Sequence, residues 1–323
     1  MLFRSEANEL AVGMARLFTG ASDVITLRHA YHGNSAAAQG LTGMHTWKYA
    51  LENGGRVHHA LNPDPYRSPF RGTPEEIAHQ AANDVRDIIK TATPGKVAAF
   101  LCEPVQGAGG VTHVAPNYLK EVYAHVRAAG GLCIADEVQT GFGRTGEHYW
   151  GFQNWGVVPD MVTMAKSLGN GAPIAAVTTR ADIAKCMIGK THFNTFGGNP
   201  VSAVAGLAVL DIIDEDGLQA NTKARGAQFR AGLAKLQQSY KLIGDVRGMG
   251  LMIGIELVSD RATREAAKGP AADVLEATKE MGLLIGKGGL DGNVLRLKPP
   301  MCITAEDVDF ALDVFERAFA AVR

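Results

Sequence analysis

The sequence predicts an α/β protein, with a doubly wound, mostly parallel sheet in a large domain and a smaller α+β domain at the C-terminus. Short apolar strands alternate with amphipathic helices between residues 75 and 178, a pattern typical of parallel sheets with helical crossovers. Two of these strands end in a charged residue followed by a glycine-containing turn. After residue 240 the pattern changes to short strands and a terminal helix, which predicts a separate, smaller unit.

The order of the predicted elements places the domain boundary at residue 216. We expect residues 1–216 to form the large domain and residues 217–323 to form the small one, with a polar amphipathic helix linking them. The predicted elements are, in chain order, helix Ser5–Phe18, strand Val24–Leu27, helix Glu75–Lys90, strand Val97–Cys102, helix Tyr118–Ala129, the strands that end at Asp136 and at Met164, strand Ile174–Thr178, helices Val201–Ile213 and Gly217–Tyr240, strands Leu251–Leu257, Leu283–Ile285 and Val294–Leu297, and helix Thr304–Val322.

Composition excludes several classes of protein. The chain has 323 residues, a formal net charge of −1 and 46% hydrophobic residues, which suffices for one large and one smaller domain. A near-neutral charge gives no electrostatic case for nucleic acid or an anionic membrane as partner. The four cysteines are far apart and read as reduced residues of the core. No apolar run is long enough to span a bilayer, and Met1–Arg4 leads straight into a predicted helix, so no targeting peptide is visible.

One strand delivers a lysine to a glycine-rich turn. The apolar run Met161–Met164 precedes Lys166, and Gly169 follows. A strand that is apolar on both faces belongs inside a parallel sheet, and such sheets bind ligands outside the carboxyl ends of their strands. Burial there lowers the pKa of a lysine because it disfavours the ammonium form, and the free amine can form a Schiff base with a carbonyl. The alternative is a lysine that only closes a strand and reaches solvent.

The preceding strand supplies a carboxylate at the same edge. Asp136 follows the apolar run Leu132–Ala135 and precedes a turn containing Gly141. A carboxylate one strand away from a Schiff-base lysine is the pair that pyridoxal phosphate needs, because the acid keeps the pyridine nitrogen protonated and the ring becomes an electron sink. The alternative role for Asp136 is to cap a turn.

Four further positions carry groups suited to such a cofactor or to its substrate. Ser5 lies at a predicted helix N-terminus, which is a ready anion site, and Tyr31 follows a strand where an aromatic ring can stack on a flat cofactor. Thr195 lies in a turn before a helix, where it can contact a phosphate. Arg296 projects from an otherwise apolar strand and suits bidentate capture of a carboxylate. Each also has an ordinary structural alternative. Ser5 can simply cap the helix, and Tyr31 can fill the core. Thr195 can be a turn residue, and Arg296 can be a surface residue.

A dinucleotide site is a competing interpretation. Residues Gly141–Gly146 spell G-x-G-x-x-G after a strand, and Asp160 lies near the offset of a ribose-binding acid. The third glycine should open a helix, but the aromatic, glycine-interrupted stretch Glu147–Phe152 follows it, which disfavours this interpretation. The histidines lack metal-ligand spacing such as H-E-x-x-H, so we expect no metal site.

Taken together, these motifs resemble the class III pyridoxal-phosphate-dependent aminotransferases of fold type I. The resemblance extends from Ser5 to the C-terminus and is closest to the mitochondrial alanine–glyoxylate branch, with Val57–Tyr66 similar to its plant and algal members. Its most specific part runs from Glu137–Gly146 through Met164–Lys166 to Asn194–Pro200.

The resemblance implies a transaminase with ping-pong kinetics that acts on small amino acids and keto acids, forms a homodimer or a dimer of dimers, and resides in mitochondria. It implies a role for each candidate residue: Lys166 as Schiff-base lysine and general base, Asp136 beneath the pyridine nitrogen, Gln139 near the phenolic oxygen, Tyr31 stacked on the ring, Ser5 at the phosphate, Thr195 at the phosphate of the partner subunit, and Arg296 at the substrate's α-carboxylate.

Two features depart from the family pattern. Relatives of the ornithine and 4-aminobutyrate type carry an acid at the position of Ala108 that pairs with the arginine, so here we expect Arg296 to stay open to α-carboxylates in both half-reactions. This favours alanine as donor and glyoxylate or pyruvate as acceptor. Relatives also carry roughly a hundred more N-terminal residues, about a small domain, and have glycine where Arg4 stands. Glycine permits close approach of the main chain to a phosphate, and arginine at position 4 would lose that geometry. One alternative is therefore an N-terminally shortened protein that is weakly active, or that is non-catalytic and acts as a binding partner. Another alternative is an aminomutase or a decarboxylase of the same fold.

Overall fold

The computed structural model of the chain describes residues 3–50 and 55–322. The prediction that no targeting peptide is visible concerned Met1–Arg4, and Met1 and Leu2 lie outside the described residues. Within the described residues the strands are β1 (Val24–Leu27), β2 (Val57–Ala60), β3 (Ala99–Cys102), β4 (Val105–Gln106), β5 (Thr112–His113), β6 (Leu132–Asp136), β7 (Met161–Met164), β8 (Ala176–Thr179), β9 (Ile243–Met249), β10 (Met252–Asp260), β11 (Glu265–Ala266), β12 (Gly286–Gly288) and β13 (Val294–Leu297). The α-helices there are α1 (Arg4–Thr19), α2 (Ala36–Leu41), α3 (Pro74–Thr91), α4 (Tyr118–Ala128), α5 (Ala181–Ala184), α6 (Pro200–Glu215), α7 (Leu218–Ser239), α8 (Lys268–Glu280) and α9 (Ala305–Ala321).

Six strands form the large sheet, in the order β2, β1, β3, β6, β7, β8. The first five are parallel, and β8 joins β7 in antiparallel register as an edge strand. Strands β3 and β6 are buried at every residue, because a parallel sheet is covered on both faces. This burial explains why both are apolar up to Asp136, the last residue of β6.

Helices cover the two faces of this sheet separately. Phe100 of β3 points into a core formed with α3 and α4, whereas its neighbour Leu101 points into a core formed with α1. This alternation follows from the two-residue period of a strand. The predicted doubly wound, mostly parallel α/β architecture is therefore confirmed.

The second sheet lies in the last third of the chain and is antiparallel. Its strands run in the order β11, β10, β13, β12, and β9 also pairs with β10. Phe229 of α7, Val274 of α8 and Phe315 of α9 pack on its apolar face in one cluster. The strand predicted at Leu283–Ile285 lies instead at Gly286–Gly288, because the ladder with β13 begins at Gly286.

The start of α1 differs from the prediction. Ser5 is not the N-cap: Phe3 takes that position, and its main-chain N–H donates to a carboxylate oxygen of Glu6 at 3.0 Å. Ser5 lies inside the first turn, where its hydroxyl accepts from the main-chain N–H of Asn34 at 3.0 Å. Arg4, the first helical residue, turns inward and is only 4% exposed.

Neither a membrane-spanning helix nor a metal-binding cluster is found among the described residues. No helix within residues 3–50 and 55–322 has the length and apolar composition needed to cross a membrane. In the same ranges, no three or more His, Cys, Asp or Glu side chains are grouped in a way that could hold a metal ion. The four cysteines are free, with Cys102 and Cys133 buried and Cys302 exposed, so the prediction of core cysteines is wrong for Cys302.

Candidate active site

The carboxyl ends of the central parallel strands meet at one edge of the large sheet, and the candidate residues gather there. Tyr31 follows β1, Glu103 follows β3, Asp136 ends β6 and Lys166 follows β7. Because parallel strands all end on the same side, residues far apart in sequence are brought together by the topology alone.

Asp136 is a buried carboxylate whose two oxygens have different partners. Its Oδ2 accepts from the ring Nδ1 of His32 at 2.8 Å and from the side-chain amide of Asn8 at 2.9 Å. Its Oδ1 accepts from Nη2 of Arg4 at 3.0 Å and from the main-chain N–H of Val138 at 3.2 Å. Burial alone would raise the pKa of Asp136, but the charge of Arg4 and the hydrogen bonds from His32 and Asn8 outweigh it and keep this pKa well below its usual range.

Asn8 connects three elements of the site. Its amide nitrogen also donates to the main-chain carbonyl of His32 at 2.8 Å, and its Oδ1 accepts from the hydroxyl of Thr163 at 2.7 Å. Helix α1, strand β7 and the loop after β1 are therefore joined through one fully buried amide. Such a network fixes the orientation of the Asp136 carboxylate, because both of its oxygens accept hydrogen bonds from buried donors.

Arg4 places a guanidinium beside this carboxylate. Its Nη2 lies 3.4 Å from Glu103 as well as 3.0 Å from Asp136, and its Nη1 donates to the main-chain carbonyl of Tyr31 at 2.8 Å. The guanidinium carbon lies 5.4 Å from the centre of the Tyr31 ring. Arg4 thus lies between the aromatic ring and the two acids at the sheet edge.

Lys166 lies two residues beyond β7, at the first position of a short 3-10 turn. Its φ is +45°, which is uncommon for a residue other than glycine and is found preferentially at functional sites. The Lys166 side chain is exposed to the cavities described next, whose walls nevertheless desolvate its amine in part. This partial desolvation, reinforced by the charge of Arg4, lowers the pKa of Lys166 to about 8.

Two cavities meet at Lys166 and Tyr31, which line both of them. The smaller, of about 310 Å³, contains the start of α1, with Arg4, Ser5 and Gly33 in its wall. The larger, of about 990 Å³, extends to the second sheet. Its polar and aromatic lining includes Tyr31, Trp47, Gln139, Lys166, Arg296 and Lys298, and its far end includes Phe229, Asp307 and Phe310.

Gln139 and Lys298 are joined across the larger cavity. The amine of Lys298 donates to the side-chain oxygen of Gln139, which leaves the amide nitrogen of Gln139 available as a donor. A Cβ at Gly107 would lie 2.4 Å from that nitrogen, so a larger residue there would displace the Gln139 amide. Burial, followed by the charge of Arg296, lowers the pKa of Lys298 to about 7.

Arg296 reaches the same cavity from β13. Its Nε donates to the carbonyl of Lys287 and its Nη1 to the carbonyl of Gly107, both at 3.1 Å. The side chain lies over Gly288, where a Cβ would stand 2.6 Å from Nε. Ala108 lines the cavity close to this guanidinium, so a small apolar residue stands where an acid would compete with a substrate carboxylate.

The residues of the site fit pyridoxal phosphate with one exception. A buried carboxylate, a partly desolvated lysine and an aromatic ring line adjoining cavities, as that cofactor requires. At the start of α1, a Cβ at Gly33 would lie 2.4 Å from the hydroxyl of Ser5, so the main chain forms a close cradle at a helix N-terminus. The exception is Arg4, which occupies the one carboxylate oxygen of Asp136 that His32 and Asn8 leave to a ring nitrogen.

The structure brings together six of the seven candidate residues. Asp136 lies at the sheet edge beside Arg4, and the other five line the cavities: Ser5, Tyr31, Gln139, Lys166 and Arg296. Thr195 lies apart from them, exposed in the segment before α6, so its predicted contact with a phosphate stays a prediction.

The dinucleotide interpretation is not supported. The glycines of Gly141–Gly146 make room for neighbouring protein: a Cβ at Gly146 would lie 2.8 Å from the main chain of Lys223 in α7. Only a short 3-10 turn, Gly151–Trp155, follows the motif, whereas a dinucleotide fingerprint opens a long helix.

Sequence reasoning missed four side chains of the candidate site: Asn8, His32, Glu103 and Lys298. Three signals were available. Arg4 and Asn8 are four residues apart and therefore share one face of a helix, and both reach Asp136. Lys298 is two residues beyond Arg296, which places both on one side of an extended chain. Glu103 directly follows the apolar strand Val97–Cys102, which is the signal that marked Asp136. No local signal marks His32, because its partner Asp136 is distant in sequence.

The fold and the site define a class of protein. The family description "Aminotransferase class-III" matches residues 4–319, and the chain belongs to this family. The predicted family is thereby confirmed, and the mostly parallel α/β fold fits fold type I, in which pyridoxal phosphate is the cofactor.

Relatives with known names give a closer comparison. The chain is 49% identical over 312 residues to "Alanine--glyoxylate aminotransferase 2 homolog 2, mitochondrial" of Arabidopsis thaliana, which covers 97% of this chain and 64% of the relative. It is 43% identical over 334 residues to "Alanine--glyoxylate aminotransferase 2, mitochondrial" of Homo sapiens, with coverage of 97% and 65%. The chain thus spans less than two thirds of the length of these relatives.

Solved structures of similar fold include enzymes of two kinds. A phospholyase from Arthrobacter, in complex with phosphoethanolamine, matches with a TM-score of 0.93 and 36% identity over 99% of this chain and 76% of that one. An amine transaminase from an uncultivated Pseudomonas species, in its PLP-bound form, matches with a TM-score of 0.94 and 31% identity over 100% and 76%.

Proposed function

We propose that this protein is a pyridoxal-phosphate-dependent transaminase. It moves an amino group from an α-amino acid such as alanine to an α-keto acid such as glyoxylate or pyruvate. The observation that carries the proposal is the convergence of Lys166 and Asp136 at one sheet edge, with Arg296 on the wall of the adjoining cavity. The alanine–glyoxylate names of the relatives support the choice of substrates.

The proposed roles follow from the chemistry of each side chain. When bound, the cofactor supplies an electron sink for negative charge at the substrate's α-carbon. Asp136 would keep the proton on the pyridine nitrogen, since its own low pKa leaves it ionised. Lys166 would hold the cofactor's carbonyl carbon and, once released, would take the α-proton as general base. A pKa of about 8 suits this task, because part of the amine is unprotonated near neutral pH.

The remaining residues would bind and orient. Tyr31 would stack on the ring, and the free amide nitrogen of Gln139 would donate to its phenolic oxygen. Ser5 would hold the phosphate in the cradle at the start of α1. Arg296 would bind the substrate's α-carboxylate as a charge-assisted, bidentate pair.

The substrate preference rests on the surroundings of Arg296. Its hydrogen bonds in the structure go to main-chain carbonyls, which a carboxylate can replace or supplement without breaking an ion pair. Because Ala108 is small and uncharged, no acidic side chain at this position has to move away from Arg296 when the substrate changes from an amino acid to a keto acid. Both half-reactions would then use the same carboxylate site.

The test is a defined reaction with purified protein, added cofactor, alanine and glyoxylate. We expect glycine and pyruvate to form in equal amounts, and Lys166→Ala to abolish turnover. Because a structural relative is a phospholyase, a parallel reaction measures phosphate release from phosphoethanolamine. Phosphate release without glycine formation would indicate a lyase, and a protein that never acquires visible absorbance with the cofactor would indicate a non-catalytic relative.

We also propose a homodimer. Five large apolar side chains before and along α6 are exposed, with exposed fractions between 61% and 81%. They are Phe193, Phe196, Val201, Val204 and Leu207. A patch of this kind marks an interaction site, and it flanks Thr195, which would reach the phosphate of the partner subunit. Light scattering should give twice the chain mass, and Val204→Glu should yield monomer while Val158→Glu, also exposed but elsewhere, should not.

The domain division and the location complete the proposal. Residues 1–216 would form the large cofactor-binding domain and residues 217–323 the small one, which the two separate sheets and cores support. A mitochondrial location is supported by the names of the relatives, and imaging of the tagged native protein would test it.

A further inference from the structure

We propose that Arg4 occupies the ring-nitrogen subsite on Asp136, so that cofactor binding is an exchange in which this guanidinium is displaced. The inference rests on the proposed function, since the displaced group matters only if pyridoxal phosphate binds here. It assigns to one residue of this chain a control over the affinity for the cofactor.

The subsite has room for one donor. Oδ2 of Asp136 already accepts from His32 and Asn8, both fully buried. Oδ1 accepts from the main-chain N–H of Val138 at 3.2 Å, which leaves this oxygen one place for a charged donor. Arg4 takes it at 3.0 Å. A protonated pyridine nitrogen is also a cationic donor that needs this oxygen, and two cations at one carboxylate oxygen disfavour each other.

The guanidinium also takes the space of the ring. Its carbon lies 5.4 Å from the centre of the Tyr31 ring, and one of its nitrogens is bonded to the main-chain carbonyl of the same residue. A flat ring that stacks on Tyr31 and bonds to Asp136 would need the place that this guanidinium occupies. Position and hydrogen bond therefore both conflict with Arg4 as it stands.

Arg4 is suited to leave. Its Nε is buried without a hydrogen-bond partner among the described residues, so its present place leaves one donor unused. The side chain lines the smaller cavity, which gives it a neighbouring space to enter. In the cofactor-free protein it neutralises a carboxylate pair, Asp136 and Glu103, that would otherwise be buried without a cation.

The test is an equilibrium titration of the cofactor-free protein, followed by visible absorbance and by tryptophan fluorescence. We expect Arg4→Ala to bind pyridoxal phosphate at least about tenfold more tightly than the unchanged protein, which corresponds to about 1.4 kcal/mol. Arg86→Ala, at an exposed position of α3, is the matched control and should leave the dissociation constant unchanged. Arg4→Gln keeps a hydrogen-bond donor without the charge, and it should also bind pyridoxal phosphate more tightly than the unchanged protein. It takes the place of Arg4→Ala in the titration if that variant does not fold.

A second titration uses pyridoxal, which lacks the phosphate. Because the competition is at the ring nitrogen, the gain in affinity should be the same factor for pyridoxal as for pyridoxal phosphate. A loss of affinity confined to pyridoxal phosphate would show that Arg4 serves the phosphate, and would overturn the inference.

The remaining outcomes separate this inference from the proposed function. Equal, tight binding of pyridoxal phosphate by the unchanged protein and by Arg4→Ala would overturn the role of Arg4 and leave the transaminase proposal intact. Failure of the unchanged protein and of both folded Arg4 variants to bind would overturn both, because opening the subsite would not have admitted the ring.

Discussion

His32 lies 2.8 Å from Asp136 through its Nδ1, and both side chains are fully enclosed by protein. The carboxylate is an acceptor, so the ring nitrogen donates to it. This contact ties the loop after β1 to the end of β6. It therefore sets the orientation of the acid on which the proposed chemistry depends.

Replacing His32 tests the weight of this contact. His32→Leu leaves an oxygen of Asp136 with one donor fewer in a buried place, and we expect a loss of about 1–3 kcal/mol in the free energy of unfolding. Urea denaturation of the cofactor-free protein measures it. His192→Leu, at an exposed position, serves as control and should change stability far less. Equal stabilities of the two variants would contradict the structural role of the pair.

The pKa of Lys166 predicts how covalent loading depends on pH. Only the unprotonated amine attacks a carbonyl, and this pKa lies near 8 rather than near 10.5. The rate at which the cofactor becomes attached should therefore rise as pH increases from 7 and level off above about 8 to 9. Stopped-flow absorbance measures this rate. A rate that keeps rising in proportion up to pH 10 would show that the amine is not desolvated.

Lys166→Ala supplies the control for that measurement. It should retain weak, non-covalent binding of the cofactor without the absorbance of attached cofactor. Covalent attachment in this variant would assign the role to another amine, with Lys298 the nearest candidate in the same cavity.

The sequence predicted the sheet edge better than the network behind it. Lys166 and Asp136 follow apolar strands, and strand polarity alone brings such positions together. Arg4 and His32 could not be placed in the same way, because their contacts with Asp136 span 132 and 104 residues and depend on side-chain direction. Ser5 shows the same limit on a small scale. The N-cap is Phe3, two residues before Ser5, so the Ser5 hydroxyl accepts a hydrogen bond from the main-chain N–H of Asn34 instead of capping the helix.

Lys298 predicts a pH-dependent affinity for carboxylate substrates. Its pKa is lowered to about 7, first by burial and then by Arg296 beside it, while Glu103 acts in the opposite direction. Below pH 7 the cavity wall therefore carries a second cation near Arg296, and above it this charge is lost. We expect KM for alanine to rise as pH increases from 6 to 8. Steady-state kinetics at several pH values measure this change.

Two variants separate charge from packing at this position. Lys298→Met removes the charge, so KM should be raised and should no longer vary over this pH range. Lys298→Arg keeps a cation throughout, so KM should stay low across the range. The proposal fails if the pH dependence persists in Lys298→Met, because another group would then be titrating.

Gly288 predicts a steric requirement for the carboxylate site. A Cβ there would lie 2.6 Å from Nε of Arg296, 2.7 Å from its Cδ and 2.9 Å from the carbonyl oxygen of Ala108. Gly288→Ala must therefore push the guanidinium out of its place. Losing a charged hydrogen bond to the substrate costs about 1.5–3 kcal/mol, which corresponds to a rise in KM of about tenfold to a hundredfold. Gly269→Ala in α8, where a Cβ meets nothing within 4 Å, should leave KM unchanged. An unchanged KM in Gly288→Ala would mean that the substrate carboxylate does not bind at Arg296. Cofactor affinity should be the same in Gly288→Ala and Gly269→Ala, because neither glycine lies at the proposed site of the cofactor ring.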